Sequence, residues 1–200
     1  MSDSYDIPAL ATDVQAAVER FPDDRERVEA IKPMLARWME RQDGLLPEHR
    51  LPCDGRARST GSGQACGHLL HTAEDGSFFI IAVVFPPGTS SGVHYHGAWG
   101  VIGVLSGVDE ETRYAREDGP AEVAAGQGCD LTKTGADRFP PGSITHLLPP
   151  AEGFHRVRAA GEETGVSLHI LGGTPETHPH FLCEATERKL VDFPMHALLA

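Results

Sequence analysis

Two stripes of apolar residues at helical spacing open the chain. The first comprises Leu10, Val14, Val18 and Phe21, and the second comprises Val28, Ile31, Leu35, Trp38 and Met39. Pro8 after Asp6 is typical of a first helical turn, whereas Pro33 either kinks the second helix or shifts its start. The pattern predicts an N-terminal helical segment, residues 1–50, that packs on one face of the rest of the protein.

From about residue 65 the pattern changes to short apolar stretches separated by Gly, Pro and Asp. Residues 51–64, rich in Gly, Arg and Ser, form a loop before this change. The predicted strands are 66–71, 78–85, 92–96, 100–106, 111–114, 122–125, 128–132, 144–148, 154–159 and 165–171. Many short strands without intervening helices predict a mainly β sandwich or barrel for residues 51–200, within one compact domain overall.

The charge balance limits the partners of the protein. A formal net charge of −12 over 200 residues, without a block of Lys or Arg, disfavours nucleic acid and anionic membrane surfaces. No apolar run approaches the roughly 20 residues of a membrane span, and residues 1–6 do not resemble a secretion signal. We therefore expect a cytoplasmic monomer or homodimer that acts on a small molecule.

The cysteines are widely scattered along the chain. Cys53, Cys66, Cys129 and Cys183 form no C-x-x-C pair, which argues against a zinc ribbon or a thioredoxin-type site. For a cytosolic chain, four reduced thiols without a special role are expected.

The strongest candidate for chemistry is the pair His94 and His96. Residues i and i+2 of a strand point to the same face, so both imidazoles face one side and Tyr95 the other. Two neutral imidazoles inside a barrel are the start of a transition-metal site. The candidates for a third ligand are His146, His155 and His169.

The spacing around these histidines resembles the two motifs of the cupin superfamily. Gly88-x5-His94-x-His96 is similar to the first motif, and Pro141-Gly142 through Gly153-x-His155 to the second. More narrowly, the stretch from His94 to Gly107 resembles the cysteine and 3-mercaptopropionate dioxygenases, of which this chain would be a divergent member. The resemblance implies a cupin double-stranded β-helix, a jelly-roll barrel. It also implies an Fe(II) ion held by His94, His96 and His155, with O2 converting a small thiol to a sulfinate.

The same resemblance assigns the other site residues. Ser167 and His169 match two members of the family's Ser–His–Tyr relay and are expected to be catalytic, whereas Leu171 stands where the tyrosine should be. The family's carboxylate-binding arginines are missing, since Gly67 occupies one position and His178 or His180 the other. The expected substrate-binding residues are Tyr95, Trp99, His180, Arg56 and Arg58.

Two other functions remain open at this stage. Three histidines also bind Ni, Mn or Zn, so a cupin enzyme with another metal could act on a substrate that is not a thiol. A non-catalytic cupin that binds a small ligand would fit the missing tyrosine and arginine. The glutamate that many cupins use as a ligand is replaced by Gly100, as it is in the thiol dioxygenases.

Overall fold

The computed structural model describes residues 4–53, 65–116 and 123–199. Its first elements are helices α1 (Ile7–Arg20) and α2 (Asp24–Met39). Asp6 caps α1 by accepting a hydrogen bond from the Ala9 backbone N–H, and Asp23 caps α2 in the same manner. Both predicted helices are therefore present. Pro33 lies inside α2, which begins well before it.

Eleven strands follow among the described residues. They are β1 (Cys66–Thr72), β2 (Phe78–Phe85), β3 (His94–His96), β4 (Gly100–Ser106), β5 (Asp109–Arg116), β6 (Leu131–Phe139), β7 (Ile144–Leu147), β8 (Phe154–Ala159), β9 (Gly165–Gly172), β10 (His180–Glu184) and β11 (Lys189–Asp192). Two strand predictions were wrong: 123–125, the described part of 122–125, is not a strand, and β6 begins at Leu131 instead of residue 128. β6 is an edge strand with mostly exposed side chains, so apolar alternation could not reveal its length.

The strands form two antiparallel sheets. The five-stranded sheet has the order β1-β2-β9-β4-β7, and the six-stranded sheet has the order β11-β10-β3-β8-β5-β6. The helices pack on the five-stranded sheet, where α1 contacts β1 and α2 contacts β4 and β7. This arrangement confirms the predicted mainly β double-stranded β-helix with helices packed on it. The division into residues 1–50 and 51–200 stays a prediction.

β2 explains how the five-stranded sheet is held. Its sequence FFIIAVVF is buried throughout, because it packs on both of its faces. Phe78 and Ile80 belong to the core beneath the helices, whereas Phe79 and Ile81 belong to the core inside the barrel. A continuous apolar run is what a strand covered on both sides requires.

The four cysteines form two disulfides, Cys53–Cys66 and Cys129–Cys183. The expectation of four reduced thiols was therefore wrong, since it followed only from the assumed cytoplasmic location. That location stays a prediction. Among the described residues no helix is both long and apolar enough to cross a membrane.

Candidate metal centre

Three neighbouring strands of the six-stranded sheet bring four histidines together. β3 lies between β10 and β8, and it carries His94 and His96. His96 is directly opposite His180 of β10, and His94 is directly opposite His155 of β8. All four side chains are nearly inaccessible to solvent and line one cavity inside the barrel. The register of the sheet therefore creates a cluster that we call the histidine cluster: His94, His96, His155 and His180.

Each imidazole of the histidine cluster donates its Nδ1–H to a fixed partner. His94 Nδ1 lies 3.2 Å from the Gly92 carbonyl oxygen, and His180 Nδ1 lies 2.5 Å from the Phe193 carbonyl oxygen. His96 Nδ1 lies 2.8 Å from His178 Nε2, and His155 Nδ1 lies 2.9 Å from Glu111 Oε1. A neutral imidazole with its proton on Nδ1 has a free lone pair on Nε2, which suits a metal ligand.

Two Nε2 atoms of the cluster face each other, and a third has no hydrogen-bond partner among the described residues. His94 Nε2 and His96 Nε2 face each other at 3.1 Å, and one ligand atom from His94, His96 and His180 each lies within 4.8 Å of the others. His155 Nε2 is buried without a hydrogen-bond partner in the described part of the chain. Two nitrogens about 2.1 Å from one ion at right angles would be separated by about 3.0 Å. The donor set therefore fits a transition-metal ion.

Burial keeps the imidazoles of His94, His96 and His180 neutral. It is the main cause that holds the pKa of His94 and of His96 well below the usual histidine value, and neighbouring imidazoles add to it. Burial also lowers the pKa of His180 to about 3 and that of His178 to about 4. Only the neutral form binds a metal, so near neutral pH no proton competes for the site.

Glu111 contacts the histidine cluster through His155, and no sequence pattern pointed to it. Its carboxylate accepts the His155 hydrogen bond and also contacts Arg113 at 3.4 Å. Burial alone would raise the pKa of Glu111, but His155 and Arg113 lower it below the usual value. The pKa of the neighbouring Asp109 shifts in the opposite direction, because burial and the charge of Glu111 raise it to about 7. Glu111 thus stays charged and fixes the orientation of His155.

The cavity beside the cluster is small and mostly apolar. Its volume is about 40 Å³, and its apolar wall residues are Ala65, Val83, Phe85, Val157, Met195 and Leu198. Among the described residues lining it there is no lysine or arginine. His169 lies in the wall, and its Nε2 is 2.9 Å from Ser167 Oγ. The structure therefore places His169 beside the histidine cluster with Ser167 in contact with it, and their catalytic role stays a prediction.

Other residues expected at the site lie elsewhere. Tyr95 points to the opposite face, where its ring packs on Phe154 with centroids 4.6 Å apart. Trp99 belongs to the core beneath the helices, with the Arg27 guanidinium 5.4 Å from its ring. The expectation that Tyr95 and Trp99 contact the substrate was therefore wrong, because both rings pack against other side chains away from the cavity. Arg56 and Arg58 lie outside the described residues.

His146 and Gly100 have clear structural explanations. His146 pairs with Glu152 at 3.4 Å and does not join the cluster. A side chain at Gly100 would place its Cβ 2.7 Å from a Leu171 methyl group. Leu171 is fully buried in the inner core, so it occupies the space that a longer side chain at position 100 would need.

No protein-family model matches the chain. Similar solved structures include a Klebsiella pneumoniae protein with a double-stranded β-helix domain (14% identity, 68% of this chain and 85% of that chain, TM-score 0.45). They also include the cupin domain of Cnp3 from Schizosaccharomyces pombe (18%, 56% and 62%, 0.39). A third is the DMSP lyase DddQ from Ruegeria pomeroyi (20%, 59% and 51%, 0.41), of which this chain spans about half.

Proposed function

We propose that this protein is a mononuclear metal enzyme that oxidises a small thiol with O2, with Fe(II) held by His94, His96 and His155 together with His180. The observation that carries the proposal is the histidine cluster, whose buried imidazoles share one tautomer and direct free lone pairs toward each other. A bound Fe(II) would supply O2 activation and a position for the thiolate sulfur. The product would be a sulfinate, since RSH and O2 together contain all atoms of RSO2H.

His180 is better explained as a ligand than as a substrate contact. It belongs with His94 and His96 to the group whose ligand atoms lie within 4.8 Å of one another. Its Nδ1–H is fixed by the Phe193 carbonyl, which leaves Nε2 free. Four neutral ligands would leave about two positions on an octahedral ion, which are enough for one sulfur and one O2.

The cavity favours a thiol without a carboxylate. A carboxylate in an apolar cavity needs a cationic partner, because desolvation of the charge is otherwise unfavourable. Besides the histidine cluster, the described wall consists of apolar side chains and two uncharged polar residues, Ser91 and His169. We infer that uncharged alkyl thiols fit this described wall better than 3-mercaptopropionate.

Ser167 and His169 would orient the bound substrate. Burial lowers the pKa of His169 to about 3, so this imidazole is a weak base and stays neutral. Its contact with Ser167 Oγ fixes the ring position, so that one face of the cavity presents a defined hydrogen-bonding group.

The proposal is tested by O2 consumption with Fe(II) and a thiol panel. The panel contains cysteamine, cysteine, 3-mercaptopropionate and an alkyl thiol, and mass spectrometry identifies products with two added oxygen atoms. We expect turnover with at least one thiol, loss of turnover in His96→Ala, and retention in His146→Ala, whose histidine pairs with Glu152. O2 consumption by no thiol, or equal turnover in His96→Ala, would contradict the proposal.

A second candidate is a cupin enzyme that uses Ni, Mn or Zn on another substrate. The all-imidazole donor set favours it, because imidazole suits several of these metals. Reconstitution of metal-free protein with each metal separates the two: the first proposal requires that Fe(II) alone restores thiol-dependent O2 consumption.

A further inference from the structure

A second group of metal-ligating atoms lies where the helical segment meets the barrel. Cys53 Sγ, Cys66 Sγ and His68 Nε2 all lie within 4.8 Å of one another. Cys66 and His68 are two residues apart in β1, so their side chains point to the same face. Cys53 is brought to them by the disulfide. These residues are separate from the histidine cluster and have no part in the proposed oxidation.

We propose that Cys53, Cys66 and His68 form a Zn²⁺ site once the disulfide is reduced. A dithiol reductant would give two electrons and two protons to the Cys53–Cys66 bond and itself become a disulfide. Zn²⁺ then displaces both thiol protons and binds the two thiolates and the imidazole. Cysteine and histidine are the ligands that zinc uses most often in proteins.

The geometry needs little change to accept the ion. Tetrahedral zinc with bonds of about 2.3 Å to sulfur and about 2.0 Å to nitrogen separates two sulfurs by about 3.8 Å and sulfur from nitrogen by about 3.5 Å. His68 Nε2 already lies 3.9 Å from Cys53 Sγ. The Cα atoms of the cysteines are 5.9 Å apart, so side-chain rotation after reduction is sufficient to open the space between the sulfurs.

The surroundings permit the required proton shift. In the disulfide form His68 Nε2 lies 3.0 Å from the Leu51 carbonyl oxygen and donates to it. Binding Zn²⁺ through Nε2 moves the proton to Nδ1 and leaves that carbonyl without its donor. Because Leu51 is 59% exposed, water can replace the donor at little cost. Cys53 and His68 are half-buried, which leaves the fourth zinc position open to water.

The site adjoins the wall of the catalytic cavity. Ala65 lines that cavity and directly precedes Cys66. A change from disulfide to zinc-bound thiolates therefore acts on a segment that borders the histidine cluster.

Cobalt titration of the full chain tests the proposal, because Co²⁺ bound to thiolate gives a near-ultraviolet charge-transfer band that Co²⁺ bound to histidine alone does not give. After a phosphine reductant, we expect this band to saturate at one equivalent above the histidine cluster and to vanish on adding Zn²⁺. Cys53→Ser and His68→Gln should weaken it at least tenfold. Cys129→Ser, which breaks the other disulfide, and His71→Gln, on the same strand, should keep it.

Alkylation of thiols gives a second measurement that does not depend on any variant. In reduced protein with Zn²⁺, we expect Cys53 and Cys66 to be protected, whereas Cys129 and Cys183 react. A missing charge-transfer band in reduced protein, or a band unchanged in Cys53→Ser, would overturn the proposal. Equal alkylation of all four cysteines with Zn²⁺ would overturn it as well.

Discussion

The inner faces of the two sheets differ in what they contribute to the barrel. The five-stranded sheet presents mainly apolar residues such as Phe79, Ile81 and Leu171, with His169 as a polar exception, and helices cover its outer face. The six-stranded sheet presents the histidine cluster with Glu111 behind it. Buried polar groups are costly unless their partners are fixed. We infer that burial of apolar side chains on one sheet stabilises the fold enough for the other sheet to hold buried imidazoles in a single arrangement.

The largest expected effect separates stability from metal binding. Ile80→Ala removes a fully buried side chain beneath the helices and should lower the free energy of unfolding by about 2–5 kcal/mol. The metal affinity of the folded variant should stay unchanged, because Ile80 points away from the cavity. Urea denaturation and metal titration measure the two quantities. Val191→Ala, at a side chain 39% exposed, serves as control with a change below about 0.5 kcal/mol.

Removing the charge behind His155 should weaken metal binding without unfolding the protein. Glu111→Gln keeps the shape but loses the carboxylate that accepts the His155 proton, and should reduce metal affinity about 10–100-fold. Glu110→Gln is the matched control, since Glu110 pairs with Arg138 and Arg158 at the surface. Equal affinities of the two variants would show that Glu111 does not position the ligand.

Acidification should destabilise the metal-free protein. The pKa values of His169, His178 and His180 are lowered to about 3–4 in the folded state, so the unfolded state binds more protons below about pH 6.5. Between pH 7 and 5.5 each of these histidines lowers the free energy of unfolding by about 1 kcal/mol. Asp109, whose pKa is raised to about 7, acts in the opposite direction and offsets the contribution of about one histidine. His94 and His96, whose pKa values are also lowered, add to the loss, so urea denaturation should show lower stability at pH 5.5 than at pH 7. Equal or greater stability at pH 5.5 would contradict the assigned burial of neutral imidazoles.

The smallest effect concerns Tyr95. Its ring packs on Phe154 and Phe181 outside the cavity, so Tyr95→Phe should leave the KM for thiol and the metal affinity unchanged within error. A severalfold rise in KM would restore Tyr95 as a substrate contact.

The sequence predicted the elements with clear periodicity and the residues with fixed spacing. Both helices and β2 follow from apolar patterns, and His94 with His96 follows from strand alternation. Glu111 could not be found in this way, because it reaches His155 across the sheet from 44 residues away. His178 contacts His96 across 82 residues and carried no local signal. β10 has consecutive apolar residues without alternation, and the position of His180 opposite His96 became visible only through the register.

X-ray absorption at the iron edge tests the central claim most directly. Protein with intact disulfides and one equivalent of Fe(II), without oxygen, should show a first shell of nitrogen or oxygen at about 2.1 Å with the multiple scattering of imidazole. Adding a substrate thiol should introduce one sulfur neighbour. Iron that remains solvated without imidazole scattering, or an unchanged first shell after thiol addition in a protein that consumes O2, would contradict the account.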